Sequence, residues 1–475
     1  MVKEYSLYWG EMHTHTYCGK GVFGSLEEAV EIAKTHLDFW APSEHINLSA
    51  TDPVLHPKFN WEKIKKIIRD NYSPGKFVTF PGYEWTSLEG DYNIYFLTDN
   101  SPFLLPSGLE EFAEFAKENQ AILIPHHTAY KVGYRGVKWE KHPFEVSPLV
   151  EIYSMHGSSE CEGGPFPMNL PWMGPRTSGG TVQDALKKGI RLGFIASSDG
   201  HNAYPGTYLM GLTGVYAHQL TRESIWEALW ERRTYAVTGD RIKINFQVNN
   251  FFIGEEGKGR YPRYILAEIE GEDRLEKIEI IKDNHSLYQE CPLYKEEVEE
   301  KDYQEVKVRI EWGWGQEMNW EGELSIQKGR IISLQPYFGP PPPNRIYYEN
   351  EKKCRWISRT NGSLVSDWHY CRNGREGTDS IVFKIEGNPD TKLKLKINSL
   401  HFSYLLKEIM ESSHLEVLEK GAKIKVHQAV PKRSYYKKLE ISDNKDNKGP
   451  SFYYLRVTQR NGNMAWSSPV WIDRD

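Results

Sequence analysis

Within the first 240 residues, histidines and carboxylates recur just after one short apolar run after another. His13 and His15 follow the run at 7–12, Glu44 and His45 the run at 37–41, and Glu84 the run at 77–80. His126 and His127 follow 121–124, Glu151 lies inside 149–153 with His156 just beyond, and Asp199 and His201 follow 192–196. Helical patterns separate these runs. Ser25 and Glu28 form a capping box ahead of a stripe of Leu26, Ala29, Val30 and Ala33, and further helices are predicted near 61–69, 109–116 and 181–188. Strand and helix alternating in this way predict parallel βα units, in an open sheet or a barrel. Loops at the carboxyl ends of such strands converge, so the residues they carry share one site.

Imidazole and carboxylate together are the donor set of borderline and hard divalent cations. The H-x-H spacing of His13 and His15 puts both side chains on one face of an extended segment, and Asp199 and His201 repeat the spacing. An isolated H-x-H or Asp-Gly-His is weak, the second being a turn signal first. Recurrence after successive strands is what points to a metal centre.

The pattern changes after Gly239-Asp240. Period-two alternation marks strands at 241–248, 275–282 and 306–312, with others at 393–397 and 452–457 and one helical stretch at 404–411. Four prolines, Pro340 to Pro343, require an extended joint or loop. The division expected is a metal-binding βα domain at 1–240 and a β-rich region at 241–475, built as one or two β-sandwich-like modules. His285, His369 and His401 stand alone there, so this half is expected to pack against the first without supplying ligands.

A net charge of −6 and a pI near 6.3 argue against a nucleic-acid partner. No apolar run is long enough to span a bilayer, and five irregularly spaced cysteines suggest neither a disulfide framework nor a cysteine zinc site. These features favour a cytoplasmic protein acting on a small-molecule substrate; oligomeric state is not legible.

His13-x-His15, Glu44-His45, Glu84, Pro125-His126 and Asp199-x-His201 together resemble the ordered motifs of the polymerase-and-histidinol-phosphatase (PHP) metallohydrolases. Three longer strings are similar to an uncharacterised branch of that family related to the carbaryl hydrolases: 82–86, 151–157 and 232–239. Its C-terminal β-region is echoed at 453–457 and 465–469. The resemblance implies an α/β fold, a distorted (βα)7 TIM-like barrel followed by a β-sandwich-like region, with two or three divalent cations (manganese, zinc or iron). It implies that His13, His15 and Asp199 hold one cation, that Glu84 bridges to a second bound by His126, and that His45 and His201 belong to a third position.

Two departures stand out. Where the family often has a histidine after the bridging glutamate, this chain has Asp91, an oxygen donor or a turn-capping residue. Where three-metal relatives place another histidine after the H-x-H, this chain has Cys18, a soft ligand or a small buried thiol.

The implied chemistry is hydrolysis by a metal-activated hydroxide. His156 is the candidate proton donor to the leaving group, with a further ligand role or a plain turn residue as alternatives. Glu151 is a candidate orienter of a ligand histidine. Lys131, Arg135 and Arg176 are candidate contacts to a substrate phosphate or carboxylate. A phosphoester is the expected substrate. An ester or carbamate is the alternative, for which Phe166-Pro167-Met168-Asn169-Leu170-Pro171-Trp172-Met173 would line an apolar pocket. A third reading is a glycan- or protein-binding protein with a relic barrel, using Trp312, Trp314 and Trp320 as stacking surfaces, with buried aromatic core as the alternative role of these residues.

Overall fold

A computed structural model describes residues 4–16, 24–169, 173–292, 305–361, 377–445 and 449–474. Cys18, His369 and the loop residues Leu170, Pro171 and Trp172 lie outside the described residues.

Helices begin where side chains satisfy the first free backbone N–H groups. Ser25 caps Leu26–Ala33 with Glu28 returning the bond, and Thr181 and Asp184 do the same for Val182–Lys187. Asn60 caps Trp61–Asn71, whose Trp61, Ile64, Ile67 and Ile68 share a core with Leu26, Ala29, Val30 and Ala33.

Three sheets surround the site. In the first, Ser6–Glu11 pairs in parallel with Phe39–Trp40, which pairs in parallel with Val78–Thr79. On its other edge Leu212–Ala217 and then Thr234–Val237 add antiparallel strands. Gly10 sits opposite Phe39, where a Cβ would fall 2.4 Å from the Phe39 carbonyl oxygen, so this pairing requires glycine. In the second sheet Glu44–His45 runs parallel to Gly82–Trp85, followed by antiparallel Asp91–Tyr95 and Ile122–His126. The third pairs Leu149–Ser154 in parallel with Gly193–Ala196.

Ile122–His126 lies beside Leu149–Ser154, and Gly193–Ala196 beside Leu212–Ala217. Backbone hydrogen bonds nonetheless draw separate sheets, with no closed barrel among the described residues. The uniformly parallel βα pattern expected from the sequence is replaced by mixed pairing. Gly82–Trp85 and Asp91–Tyr95 are five residues apart. A connection that short permits a hairpin and excludes a crossover helix.

The strand-rich region after residue 240 has two parts. Lys243–Val248, Arg263–Glu270 and Tyr436–Asp443 form one antiparallel sheet. Ser451–Gln459, Met464–Ser467 and Val470–Asp473 extend the first sheet, Met464–Ser467 pairing with Thr234–Val237. One hydrophobic core therefore runs from Trp9 to Ile472 across residue 240. Glu160 fastens this return: it accepts hydrogen bonds from Tyr454 Oη, Arg456 Nη1 and Trp466 Nε1, each 2.8 Å long.

Residues 306–431 build a separate β-sandwich core. Trp312 and Trp356 stack in it with centroids 5.1 Å apart. Trp312 and Trp320 are buried, their indole N–H groups donating to Ser358 and Thr360. They are core residues, leaving only the half-buried Trp314 of that trio near the surface. The predicted helix at 404–411 is shorter than expected: Leu400–Leu405 is a strand and Leu406–Glu411 the helix. No helix among the described residues is long and apolar enough to cross a membrane.

Candidate metal centre

Backbone pairing assembles the motifs. Asp199 N donates to His13 O and His15 N to Gly200 O, both at 2.9 Å, which lays H-x-H beside D-x-H. Strand register sets His45 beside Glu84 and Asp91 beside His126. Glu11, at the end of the first strand, accepts from Ser198 N at 2.6 Å and also from Gly206 N, holding both ends of the Asp199 loop. Glu44 accepts from Thr16 N at 2.9 Å and bonds the Thr16 hydroxyl as well.

Two carboxylates divide their oxygens. Glu84 Oε2 lies 3.4 Å from His13 Nε2 and 3.2 Å from His15 Nε2, while Oε1 lies 3.3 Å from both His45 Nδ1 and His126 Nε2. Asp199 Oδ1 lies 3.2 Å from His13 Nε2 and 3.3 Å from His15 Nε2, while Oδ2 lies 2.9 Å from His156 Nε2. Glu151 Oε2 is 2.9 Å from His13 Nδ1. A carboxylate behind an imidazole in this way fixes the tautomer that leaves the other nitrogen as a donor. His45 and His201 both lie against His15, with centroids 4.4 and 4.2 Å from its ring and 5.6 Å from each other. Their side chains are 20% and 17% exposed, whereas His13, His15 and Glu84 are buried. The cluster opens at the His45–His201 edge.

Four overlapping groups have donor atoms within 4.8 Å of one another: His13, His15, Glu84 and Asp199; His15, His45 and His201; Asp91, His126 and His127; and His127, His156 and Asp199. No residue after 201 enters any of them among the described residues.

The outer candidates are placed differently. Asp91 is buried with Oδ2 3.3 Å from His127 Nε2, and the Arg135 guanidinium bonds the same oxygen. Arg135 thus faces a carboxylate of the chain itself. Arg176 donates to the carbonyls of Gly164, Pro165 and Phe166 and pins that loop. Lys131 is exposed. His156, expected as a proton donor, is buried, with Nδ1 2.9 Å from the Tyr130 hydroxyl and Nε2 on Asp199.

The electrostatics follow from packing charge out of water. Glu84, Asp91, Glu151 and Asp199 are each no more than 3% exposed, and Arg135 is the fixed cation bonded among them. Burial pushes Glu151 up to about 7 against the pull of His13, and raises Asp91 against that of Arg135. For Glu84 burial is outweighed by His45 and His126, and for Asp199 by His13 and His156, so both are held well below the usual carboxylate range. Burial lowers His13, yet Asp199 and Glu151 prevail and carry it up to about 10. Burial, then the neighbouring His13 and His127, takes His126 down to about 3. His127 falls well below its ordinary value through burial, His156 and Arg135. Neither ring nitrogen of His126 makes a directed hydrogen bond, nor does Nδ1 of His127. Neutral, buried imidazoles with ring nitrogens left without hydrogen bonds, beside a surplus of carboxylates, are the chemistry that suits a divalent cation.

The family resemblance implies a ligand role for His126 and none for its neighbour His127. In a straight strand the two would face opposite ways. His127 has φ 34°, a left-handed turn that brings it to the same cluster. The His-His doublet was the available signal. Tyr130 and Glu11 carried none.

A family profile described as a protein of unknown function (DUF3604) matches residues 206–257. The chain is 29% identical over 317 residues to an uncharacterized protein of Chlamydia pneumoniae, covering 60% of this chain and 48% of that one. It is 34% identical over 198 residues to an uncharacterized protein of Chlamydia trachomatis, covering 38% of this chain and 31% of that one. The chain therefore spans at most about half the length of these curated relatives. Among solved structures, it is similar at 17% identity to a two-domain Bacteroides vulgatus protein containing a predicted PHP-like metal-dependent phosphoesterase. The match covers 58% of this chain and 79% of that one, with a TM-score of 0.37.

Proposed function

We propose that this chain is a metal-dependent hydrolase with a multinuclear centre whose substrate is a small-molecule phosphoester. The observation that carries the reading is the division of the Glu84 carboxylate, one oxygen toward His13 and His15 and the other toward His45 and His126. His13, His15 and Asp199 would hold one divalent cation, with Glu84 shared between it and a second bound by His126. Cations held there would supply Lewis acidity and an ionised water at neutral pH. Glu151 orients His13, and Glu11 tethers the Asp199 loop at Ser198 and Gly206. His45 and His201 line the edge through which substrate enters. Because Arg135 is bonded to Asp91 and Arg176 to backbone carbonyls, a phosphate would be neutralised chiefly by the cations.

A second reading, an ester or carbamate, is favoured by one feature. Ala129, Tyr130, Met168 and Met173 form a small apolar cluster, and Asn169 N bonds the His156 carbonyl, so an apolar wall stands beside the centre. The test is turnover of p-nitrophenyl phosphate, bis-p-nitrophenyl phosphate and a naphthyl carbamate by protein reconstituted with manganese or zinc. Metal-dependent cleavage of either phosphate supports the first reading, and cleavage of the carbamate alone replaces it with the second. No metal-dependent cleavage of any of the three would count against hydrolase activity.

A further inference from the structure

The geometry points to an additional cation pocket formed by His127, His156 and the outer oxygen of Asp199, beyond the ligand set that the sequence motifs supply. It rests on the metal-centre reading above and extends it at the second oxygen of Asp199.

Three observations converge on it. First, donor atoms of His127, His156 and Asp199 lie within 4.8 Å of one another, and all three residues are buried. Asp199 Oδ1 is already turned to His13 and His15, so Oδ2, 2.9 Å from His156 Nε2, serves this pocket separately. Asp199 would thereby bridge on one side of the centre as Glu84 does on the other. Second, His127 reaches the pocket only because its backbone takes φ 34°, a region that costs a non-glycine residue on the order of 1 kcal/mol. Its Nδ1 is buried without a hydrogen bond among the described residues. Strain and an unmet donor atom in one residue are explained together if that residue is a ligand. Third, His156 Nδ1 is 2.9 Å from the hydroxyl of fully buried Tyr130. When Nδ1–H donates to that oxygen, Nε2 presents its lone pair toward Asp199, the arrangement in which an outer partner holds a ligating imidazole. Two imidazoles and one carboxylate suit a borderline cation such as zinc or cobalt, rather than magnesium or calcium. On this assignment His156 is a ligand rather than the proton donor.

The experiment counts cobalt ions per 475-residue chain by elemental analysis after chelator treatment and reconstitution, with the visible absorption of bound cobalt as a second readout. His127→Gln/His156→Gln is expected to bind one ion fewer than the natural chain and to lose part of the visible band. His13→Gln/His15→Gln should remove a different ion. Should the first double variant fail to fold, Tyr130→Phe substitutes for it, with cobalt affinity at one site expected to fall about 10- to 100-fold. An unchanged ion count and spectrum in His127→Gln/His156→Gln, or unchanged affinity in Tyr130→Phe, overturns this pocket and leaves the proposed function standing. A natural chain that binds no cobalt overturns both.

Discussion

The candidate metal centre and the β-sandwich of residues 306–431 bury opposite kinds of side chain. The centre packs Glu84, Asp91, Glu151 and Asp199 among histidines, where charge out of water is costly unless it is compensated. The sandwich packs Trp312, Trp320, Trp356, Leu324 and Phe383, and its buried polar atoms include indole N–H groups that meet hydroxyls. The sandwich interior stabilises the fold by burying apolar surface. The centre relies on the surrounding sheets to hold charges that would otherwise repel and hydrate. The contrast teaches that substitutions in the two regions should separate stability from metal binding.

The largest effect should come from the sandwich. Trp356 is fully buried against Trp312 and lies over Gly322, where even a Cβ would meet its ring at 2.1 Å. Trp356→Ala should lower unfolding free energy by about 3–5 kcal/mol, measured by denaturant titration, while the folded protein keeps its ion content. Loss of bound ions from the folded variant would show that the two regions are not separable. Next is Asp199→Asn, which keeps size and removes charge at the point where both halves of the centre meet. Turnover should fall at least ~100-fold, with ion content reduced and the circular dichroism spectrum unchanged. Near-normal turnover and ion content would mean that the cluster is not a metal centre.

What the sequence discloses follows the same contrast. His13-x-His15 and Asp199-x-His201 were legible because few structural roles call for such residues after successive apolar runs. Pairing direction was not: side chains alternate with period two in parallel and antiparallel strands alike. The Asp91–Tyr95 strand is not legible because Asp-Tyr-Asn after Gly90 reads as a turn, although all five of its residues are buried. The engagement of Arg135 with Asp91 and of Arg176 with loop carbonyls is tertiary, and a basic loop residue looks the same whether it awaits a substrate or is already paired. The return of Met464–Ser467 to Thr234–Val237 joins segments far apart in the chain, beyond any local pattern. Trp312 and Trp320 could be read as stacking surfaces or as core, and only packing decides.

A smaller effect is expected where the C-terminal strands meet the centre's own body. Glu160 accepts from Tyr454, Arg456 and Trp466. Glu160→Gln would turn an amide NH2 toward one of those donors, leaving a buried group unsatisfied at a cost of about 1–3 kcal/mol. Denaturant unfolding should show the loss in the transition that also abolishes ion binding. A loss confined to a separate transition would assign residues 451–473 to the sandwich instead.

The smallest effect tests the seam between the two regions. Glu270 ends a strand of the first body, and its Oε1 lies 3.1 Å from Lys307 Nζ and 3.3 Å from Lys384 Nζ of the sandwich. Burial works against its charge, but Lys307, Lys243 and Lys384 prevail and take its carboxyl from 4.5 down to about 2. A carboxyl lowered on folding stabilises the protein fully above its unfolded value, and that contribution fades as pH falls from about 4.5 toward 2. The group is partly solvated, so screening should hold the contribution to roughly 1 kcal/mol or less. Glu270→Gln should therefore lower the urea midpoint at pH 6 slightly, with the gap from the natural protein narrowing as pH falls through 4 to 3. Added salt at pH 6 should narrow the same gap, because exposed charge pairs are screened. A gap that stayed constant with pH and salt would mean that the seam is held by packing around Glu270 rather than by its charge.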